Sequence, residues 1–332
     1  MMEALEETEL CFPQLLNSSC MKPKRPLPEA ILTYIILSSI SLLTASLNLL
    51  VIISISHFKQ LHSPTNSLLL SLAVSDFFVG LLMFFQIMLI DGCWLLGNIM
   101  CALYQYLAYI ITSASVGTMV LISIDRYVAV CDPMHYSTKV TQERVQVCVC
   151  LCWICSVIFQ TLLLRENLEE PGRYISCFGE CAVVSTYIGG FVDLVLSFFS
   201  PVTVIITLYM RVFVVAVSQA RAMRSHITTV TVQGSVTVTV KKSELKAART
   251  LGVVVVVFLI CLCPYYFFIV ILTTQDTSIS ARSAAFVICL FYFNSCLNPL
   301  IYAFFYPWFR KCLQVIVTLQ ILQPDSSEAN IL

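Results

Sequence analysis

Charge is what this chain has least of: Asp, Glu, Lys and Arg make up 11% of its 332 residues, against about 25% in an ordinary soluble domain. That scarcity, with 58% hydrophobic residues and a mean hydropathy of +0.88, excludes a water-soluble globular protein and points to a bilayer. Nineteen basic residues balance nineteen acidic ones, and a formal charge of +0 argues against nucleic acid as a partner. Histidine is scarce too. His57, His62, His135 and His226 fall near one side of the membrane without metal-ligand spacing, and there is no H-E-x-x-H, G-x-S-x-G or phosphate loop, so an enzyme is not expected. No repeated half is visible, which counts against a transporter.

What the chain has instead is hydrophobic runs. Crossing a bilayer as a helix takes roughly 20 residues at 1.5 Å each. Runs of that length lie at about 31–56, 65–90, 99–130, 144–164, 184–216, 245–273 and 282–305. The expected fold is therefore an all-α membrane protein, a seven-transmembrane helix bundle over 31–305. Residues 1–30 form an outer N-terminal segment, without the apolar stretch of a cleaved signal peptide. Residues 306–332 form a short amphipathic cytoplasmic helix and a tail.

Basic residues, among them Arg126, Lys139, Arg144, Arg211, Lys241, Lys242, Arg310 and Lys311, gather at one set of span ends. The acidic clusters Glu3 to Glu9 and Glu166 to Glu170 lie at the other. The positive-inside rule then puts the N-terminus outside the cell, where the sequon Asn17-Ser18-Ser19 is open to glycosylation. Of the sixteen cysteines, those inside spans read as small packing residues. Cys20, Cys101, Cys177 and Cys181 lie on the oxidising outer side, giving two bridges in three possible pairings.

Ionisable groups inside hydrocarbon are costly and mark functional sites. Three stand out: Asp76 in "LAVSD", Asp125 with Arg126 in "SIDRY", and Asp193 in "GGFVDLVLSFFSP". Asp76 has partners within reach in Asn48, Ser115, Asn294, Ser295 and Asn298. Such a ring of oxygens suits a sodium ion; the alternative is a hydrogen-bond cluster that only holds the bundle together.

"SLAVSD", "SIDRYVAVCDPMHY", the proline of "FLICLCPYYFF" and "NSCLNPLIYAFFYPWF" together resemble rhodopsin-type G-protein-coupled receptors. Residues 294–309 fit the Asn-Ser-x-x-Asn-Pro-x-x-Tyr-x-x-x-Tyr-x-Trp-Phe signature of trace amine-associated receptors without a mismatch. The resemblance implies roles for these residues. Asp125, Arg126 and Tyr127 would form the cytoplasmic switch, with Glu244 a second acceptor for Arg126. Pro264 and the Asn298-Pro299 pair would let the sixth and seventh helices move, bringing Tyr302 and Tyr209 together near Arg126. The partners implied are a small-molecule amine, membrane lipid and a heterotrimeric G protein of the stimulatory, olfactory type. The location implied is the plasma membrane, in the cilia of olfactory sensory neurons. The resemblance also pairs Cys101 with Cys181 and Cys20 with Cys177, leaving Cys101 to Cys177 as the alternative. No cofactor is expected beyond sodium at Asp76, and Cys312 beside the aromatic-basic "FFYPWFRKCL" is a palmitoylation candidate.

One departure matters most. In most amine receptors an aspartate on the third helix pairs with the ligand ammonium, and counting back from Arg126 that position is Ala108. Asp193 lies at similar depth on the fifth helix, as in a mostly teleost subgroup of the family. It becomes the expected partner of the ligand, supported by Ser197 one turn on, Tyr109 and Thr112 from the third helix, Tyr265 and Tyr266 from the sixth, and Tyr292 from the seventh. Leu262 and Cys289 replace tryptophans common in the family, so Phe258 and Tyr265 take over the sensing step, while Asp91 and Glu180 at the rim raise the possibility of a diamine. The competing reading is a receptor whose ligand is not an amine.

Overall fold

The computed structural model describes residues 9–22, 26–183, 186–227, 252–268, 270, 281–323, 326–328 and 331. Its long helices are α1 (Leu27–His57), α2 (Pro64–Asp91), α3 (Gly97–Cys131) and α4 (Gln142–Leu163). The fifth, α5, runs as Tyr187–Leu194, a π-helical stretch Val195–Phe199, and Ser200–Ile227. There follow α6 (Gly252–Phe268), α7 (Ala281–Phe305) and α8 (Pro307–Val317). Each of the seven expected spans overlaps one of the first seven helices; the expected start of the sixth at 245 and its end at 273 lie outside the described residues, as does Glu244.

Local chemistry sets the helix ends. Ser63 caps α2 by accepting from Asn66 N at 3.3 Å, and Pro64 follows at a position whose N–H would be unpaired anyway. The same helix stops at Gly92, whose φ of 81° needs no Cβ. Thr141 caps α4 and Thr186 caps α5, each through its side-chain oxygen. In α5, Pro201 supplies no N–H to the preceding turn, and the π-helical stretch just before it takes up that defect.

Large apolar side chains such as Leu43, Phe84, Leu151 and Ile154 are about half exposed. In water such belts would drive aggregation, whereas against lipid they are the expected surface. The inner faces close more tightly. A Cβ on Gly80 would lie 2.7 Å from Ala45 N, and Ser41 Oγ donates to Gly80 O at 2.7 Å, so α1 and α2 meet backbone to backbone. Asn48 Nδ2 donates to Ser295 O at 2.9 Å and ties α1 to α7. The main core cluster joins Phe58, Leu69, Leu72, Met119, Phe258, Tyr302 and Phe309.

Outside the bundle, β1 (Glu9–Leu10) pairs antiparallel with β2 (Met21–Lys22). This two-residue ribbon adds a small exception to an otherwise all-α chain. It is stitched to the loop before α5 by Cys20 N donating to Phe178 O at 2.9 Å and Phe178 N donating to Ser18 O at 2.7 Å. Disulfides join Cys20 to Cys177, Cys101 to Cys181 and Cys11 to Cys93. The first two are the pairings the family resemblance implies. The third corrects the count of two bridges: the outer side carries six cysteines rather than four. Gly179 has φ 107°, and a Cβ there would come within 3.0 Å of Cys11 Cβ, so the cap closes around a glycine.

On the other side α8 turns by 93° from α7. Trp308, Phe309 and Cys312 face inward while Arg310 and Lys311 are exposed, the division expected of an interfacial helix. Cys312 is fully buried in the core cluster with Phe58 and Ile55. It is therefore a packing residue here and not the accessible thiol that acylation requires. The tail returns to the loop after α1, where Ile331 N donates to Gln60 Oε1 at 3.1 Å and Lys59 Nζ meets Glu328 Oε1 at 2.9 Å.

Candidate functional site

A cavity of about 250 Å³ opens between the outer halves of the helices. All seven residues expected to hold a ligand line it: Asp193, Ser197, Tyr109, Thr112, Tyr265, Tyr266 and Tyr292. Ala108 is also in the wall, so the third-helix position contributes no charge. Among the described lining residues Asp193 is the one ionisable carboxylate, and no lysine or arginine lines the space.

The Ser197 hydroxyl donates to Asp193 Oδ1 at 2.8 Å. The two side chains lie four residues apart on one helix face, which places the hydroxyl on the carboxylate one turn before it. The aromatic wall is continuous: Tyr266 stacks on Phe198 with centroids 4.4 Å apart, and Tyr265 touches Tyr266 at 5.5 Å and Phe291 at 4.6 Å. Leu262 and Phe258 are buried beneath this wall in the main core, whereas Cys289 packs with Leu37, Met83 and Ile90 outside it.

The sequence reading missed several lining residues, two of them buried amides. Gln160 on α4 is a polar neighbour of Asp193, and Gln86 on α2 accepts from Tyr104 Oη at 2.6 Å and from Tyr292 Oη at 3.3 Å. The available signal was an amide inside an apolar run, in "MFFQIML" and "VIFQTLL". The cavity thus has an acidic pole at Asp193 and a neutral hydrogen-bonding pole at Gln86. Glu180, expected at the rim, lines a separate recess near Asn98 and accepts from Ser176 N and Ser176 Oγ, both at 2.7 Å. Those donors hold its carboxyl below the usual carboxylate range. The Asp91 side chain lies outside the described residues.

Deeper in the bundle, Asp76 is fully buried and accepts from Ser295 Oγ at 2.8 Å and Asn298 Nδ2 at 2.7 Å. Ser115 and Asn294 are buried but make no hydrogen bond to Asp76, so the expected ring narrows to two direct donors. Thr44 Oγ1, Asn48 Oδ1, Asn294 Oδ1 and Asn298 Oδ1 are buried without a partner among the described residues.

At the end of the bundle away from the disulfides, Arg126 Nε donates to Asp125 Oδ2 at 2.9 Å and Nη2 to Thr65 Oγ1 at 2.8 Å, while Tyr136 Oη donates to Asp125 Oδ1 at 2.8 Å. Both charges are buried and paired, as a guanidinium in this position must be. Tyr127 packs on Val130 and Val212. Tyr209 and Tyr306 lie close enough to feel Arg126, and their hydroxyls, with that of Tyr302, have no partner among the described residues. Pro299 sits inside α7. In the loop after α3, Asp132 pairs with Lys139 and His135, both at 2.7 Å, which holds its carboxyl low.

The pattern of the family described as 7 transmembrane receptor (rhodopsin family) matches residues 47–302. The chain is 38% identical to trace amine-associated receptor 13c of Danio rerio over 338 residues, covering 98% of this chain and 97% of that protein. It is 39% identical to trace amine-associated receptor 9 of Rattus norvegicus over 332 residues, covering 97% of each, and 38% identical to trace amine-associated receptor 6 of Pan troglodytes, covering 98% and 96%. The chain belongs to the trace amine-associated receptors. It is a multi-pass G-protein-coupled receptor of the plasma membrane and not an enzyme, with a small-molecule ligand and a heterotrimeric G protein as its partners.

Proposed function

We propose that this receptor is switched on by a protonated amine whose ammonium meets Asp193 on α5. The observation that carries the reading is the lone carboxylate in an otherwise uncharged, tyrosine-lined cavity. A buried carboxylate without a cation is costly, and an ammonium within hydrogen-bond distance offsets that cost through a charge-assisted bond. One carboxylate neutralises one ammonium, which favours a monoamine whose far end meets the neutral pole at Gln86, Tyr104 and Tyr292.

The relatives are trace amine-associated receptors, which supports the same ligand class. Signalling is proposed to run through a stimulatory G protein to cyclic AMP, in cilia of olfactory neurons, with the N-terminus outside and Asn17 glycosylated. Binding would draw α5, α6 and α7 together around the ligand, and the motion would free Arg126 from Asp125 to meet Tyr209 and Tyr302. Asp76 is proposed to hold a sodium ion in the resting state, because its buried carboxylate sits with Ser295 and Asn298, and Asn298 Oδ1 and the neighbouring Asn48 Oδ1 have no partner among the described residues.

The test is a cyclic AMP assay in cells expressing the receptor, with amines set against alcohols of the same shape. Amines are expected to activate and alcohols not. Asp193→Asn should lower amine potency by roughly 100-fold or more at unchanged surface expression, since removing one partner of a desolvated charge pair costs about 2–5 kcal/mol. A variant that responds at wild-type potency refutes the reading.

A further inference from the structure

The acidic pole has a second member that no role has yet absorbed. Gln160 is only 1% exposed, lines the cavity and neighbours the Asp193 carboxyl group. An ionised carboxylate accepts hydrogen bonds and donates none, so an amide beside it turns its N–H toward it. That orientation commits Gln160 Nε2 and leaves Oε1 for something else. Oε1 is buried and has no partner among the described residues. Ser197 cannot supply one, because its hydroxyl proton is on Asp193 Oδ1 at 2.8 Å. A dry amide oxygen without a donor is costly, so a donor brought by the ligand is worth more here than at the surface.

We infer that Gln160 Oε1 and Asp193 form a two-point acceptor that reads the substitution of the ligand nitrogen and selects primary amines. A primary ammonium carries three N–H donors, one for the carboxylate and one for the amide oxygen. An N,N-dimethyl ammonium has a single N–H; the carboxylate takes it, and methyl groups face Oε1. A trimethylammonium has none. Gln160 is thereby a specificity residue acting beside the charge, and this inference rests on the assignment of the ammonium to Asp193.

The experiment measures cyclic AMP responses to 2-phenylethylamine, hexylamine, 3-methylbutylamine and cyclohexylamine, each with its N,N-dimethyl and N,N,N-trimethyl derivative. In the wild type the primary parent is expected to be at least roughly tenfold more potent than its dimethyl derivative, the worth of one hydrogen bond to a charged group, with the trimethyl derivative weaker again. Gln160→Met, similar in volume without an acceptor, should bring primary and dimethyl potencies to within about threefold. Gln160→Glu, which keeps an oxygen there, should retain the primary preference. A wild type in which dimethyl or trimethyl derivatives match their parents overturns the inference without a variant having to fold. So does a Gln160→Met protein that keeps the wild-type ratio. If no amine in the series acts at all, the assignment to Asp193 falls first and this inference with it.

Discussion

The three outer disulfides and the chain between them form one closed ring, and that topology sets how much each bridge is worth. Cys11 and Cys93 are 82 residues apart in sequence, which taken alone predicts about 4.5 kcal/mol of loop-closure stabilisation. With the other two bridges intact the path is far shorter. It runs nine residues from Cys11 to Cys20, four from Cys177 to Cys181 and eight from Cys101 back to Cys93, a loop of about 21 residues. The same relation then gives about 3 kcal/mol. Because the ring is single, the first bridge removed costs a similar amount whichever one it is. The assay is amide hydrogen exchange in the purified receptor at Cys11, Cys20, Phe178 and Trp94, whose N–H groups bond Cys20 O, Phe178 O, Ser18 O and Gly179 O at 2.7 to 2.9 Å. Cys11→Ser with Cys93→Ser should speed exchange at these amides by roughly 100-fold while α2 and α3 keep their protection. Unchanged exchange in that double variant refutes the ring.

Other outcomes follow from the same coordinates. Ala108→Asp adds a second carboxylate to the cavity wall, so potency for α,ω-diamines such as 1,5-diaminopentane should rise by at least about tenfold while monoamines change less, read by cyclic AMP. Gly80→Ala forces a Cβ to 2.7 Å from Ala45 N, where backbone cannot yield; overpacking of this kind costs about 1–3 kcal/mol, seen as reduced surface expression and a lower melting temperature. The Glu180 carboxyl is held below its ordinary value of 4.5 by Ser176, so its contribution to the loop is complete above about pH 4.5 and is lost as pH falls through the lower folded value. Glu180→Gln should therefore speed exchange at the Ser176 amide at pH 7, and the difference from wild type should vanish in acid below that value.

Most of the frame was legible in the sequence because apolar run length and scarce charge are one-dimensional signals. Helices of the needed length follow from lipid thickness alone, and lone ionisable groups pointed to Asp76, Arg126 and Asp193 without any fold. What escaped depends on partners distant in sequence. Gln160 and Gln86 carry no charge, so a search for costly ions passes over them, although a buried amide is nearly as demanding of partners. Cys11 and Cys93 sit in segments without periodicity, and only the folded cap brings them within a Cα separation of 5.5 Å. Around Asp76 the sequence names every oxygen within reach, and only the fold shows that Ser295 and Asn298 are the ones that bond its carboxylate directly. Burial of Cys312 was invisible because "FRKCL" does not say which face of α8 meets α1.

The measurement closest to the central claim is a structure of the receptor with an activating primary amine bound. The account predicts the amine nitrogen about 2.8 Å from an Asp193 carboxylate oxygen, with Ala108 on the opposite wall unbonded to it. An agonist whose nitrogen sits elsewhere, with the Asp193 carboxyl satisfied by Ser197 and Gln160 alone, would contradict it.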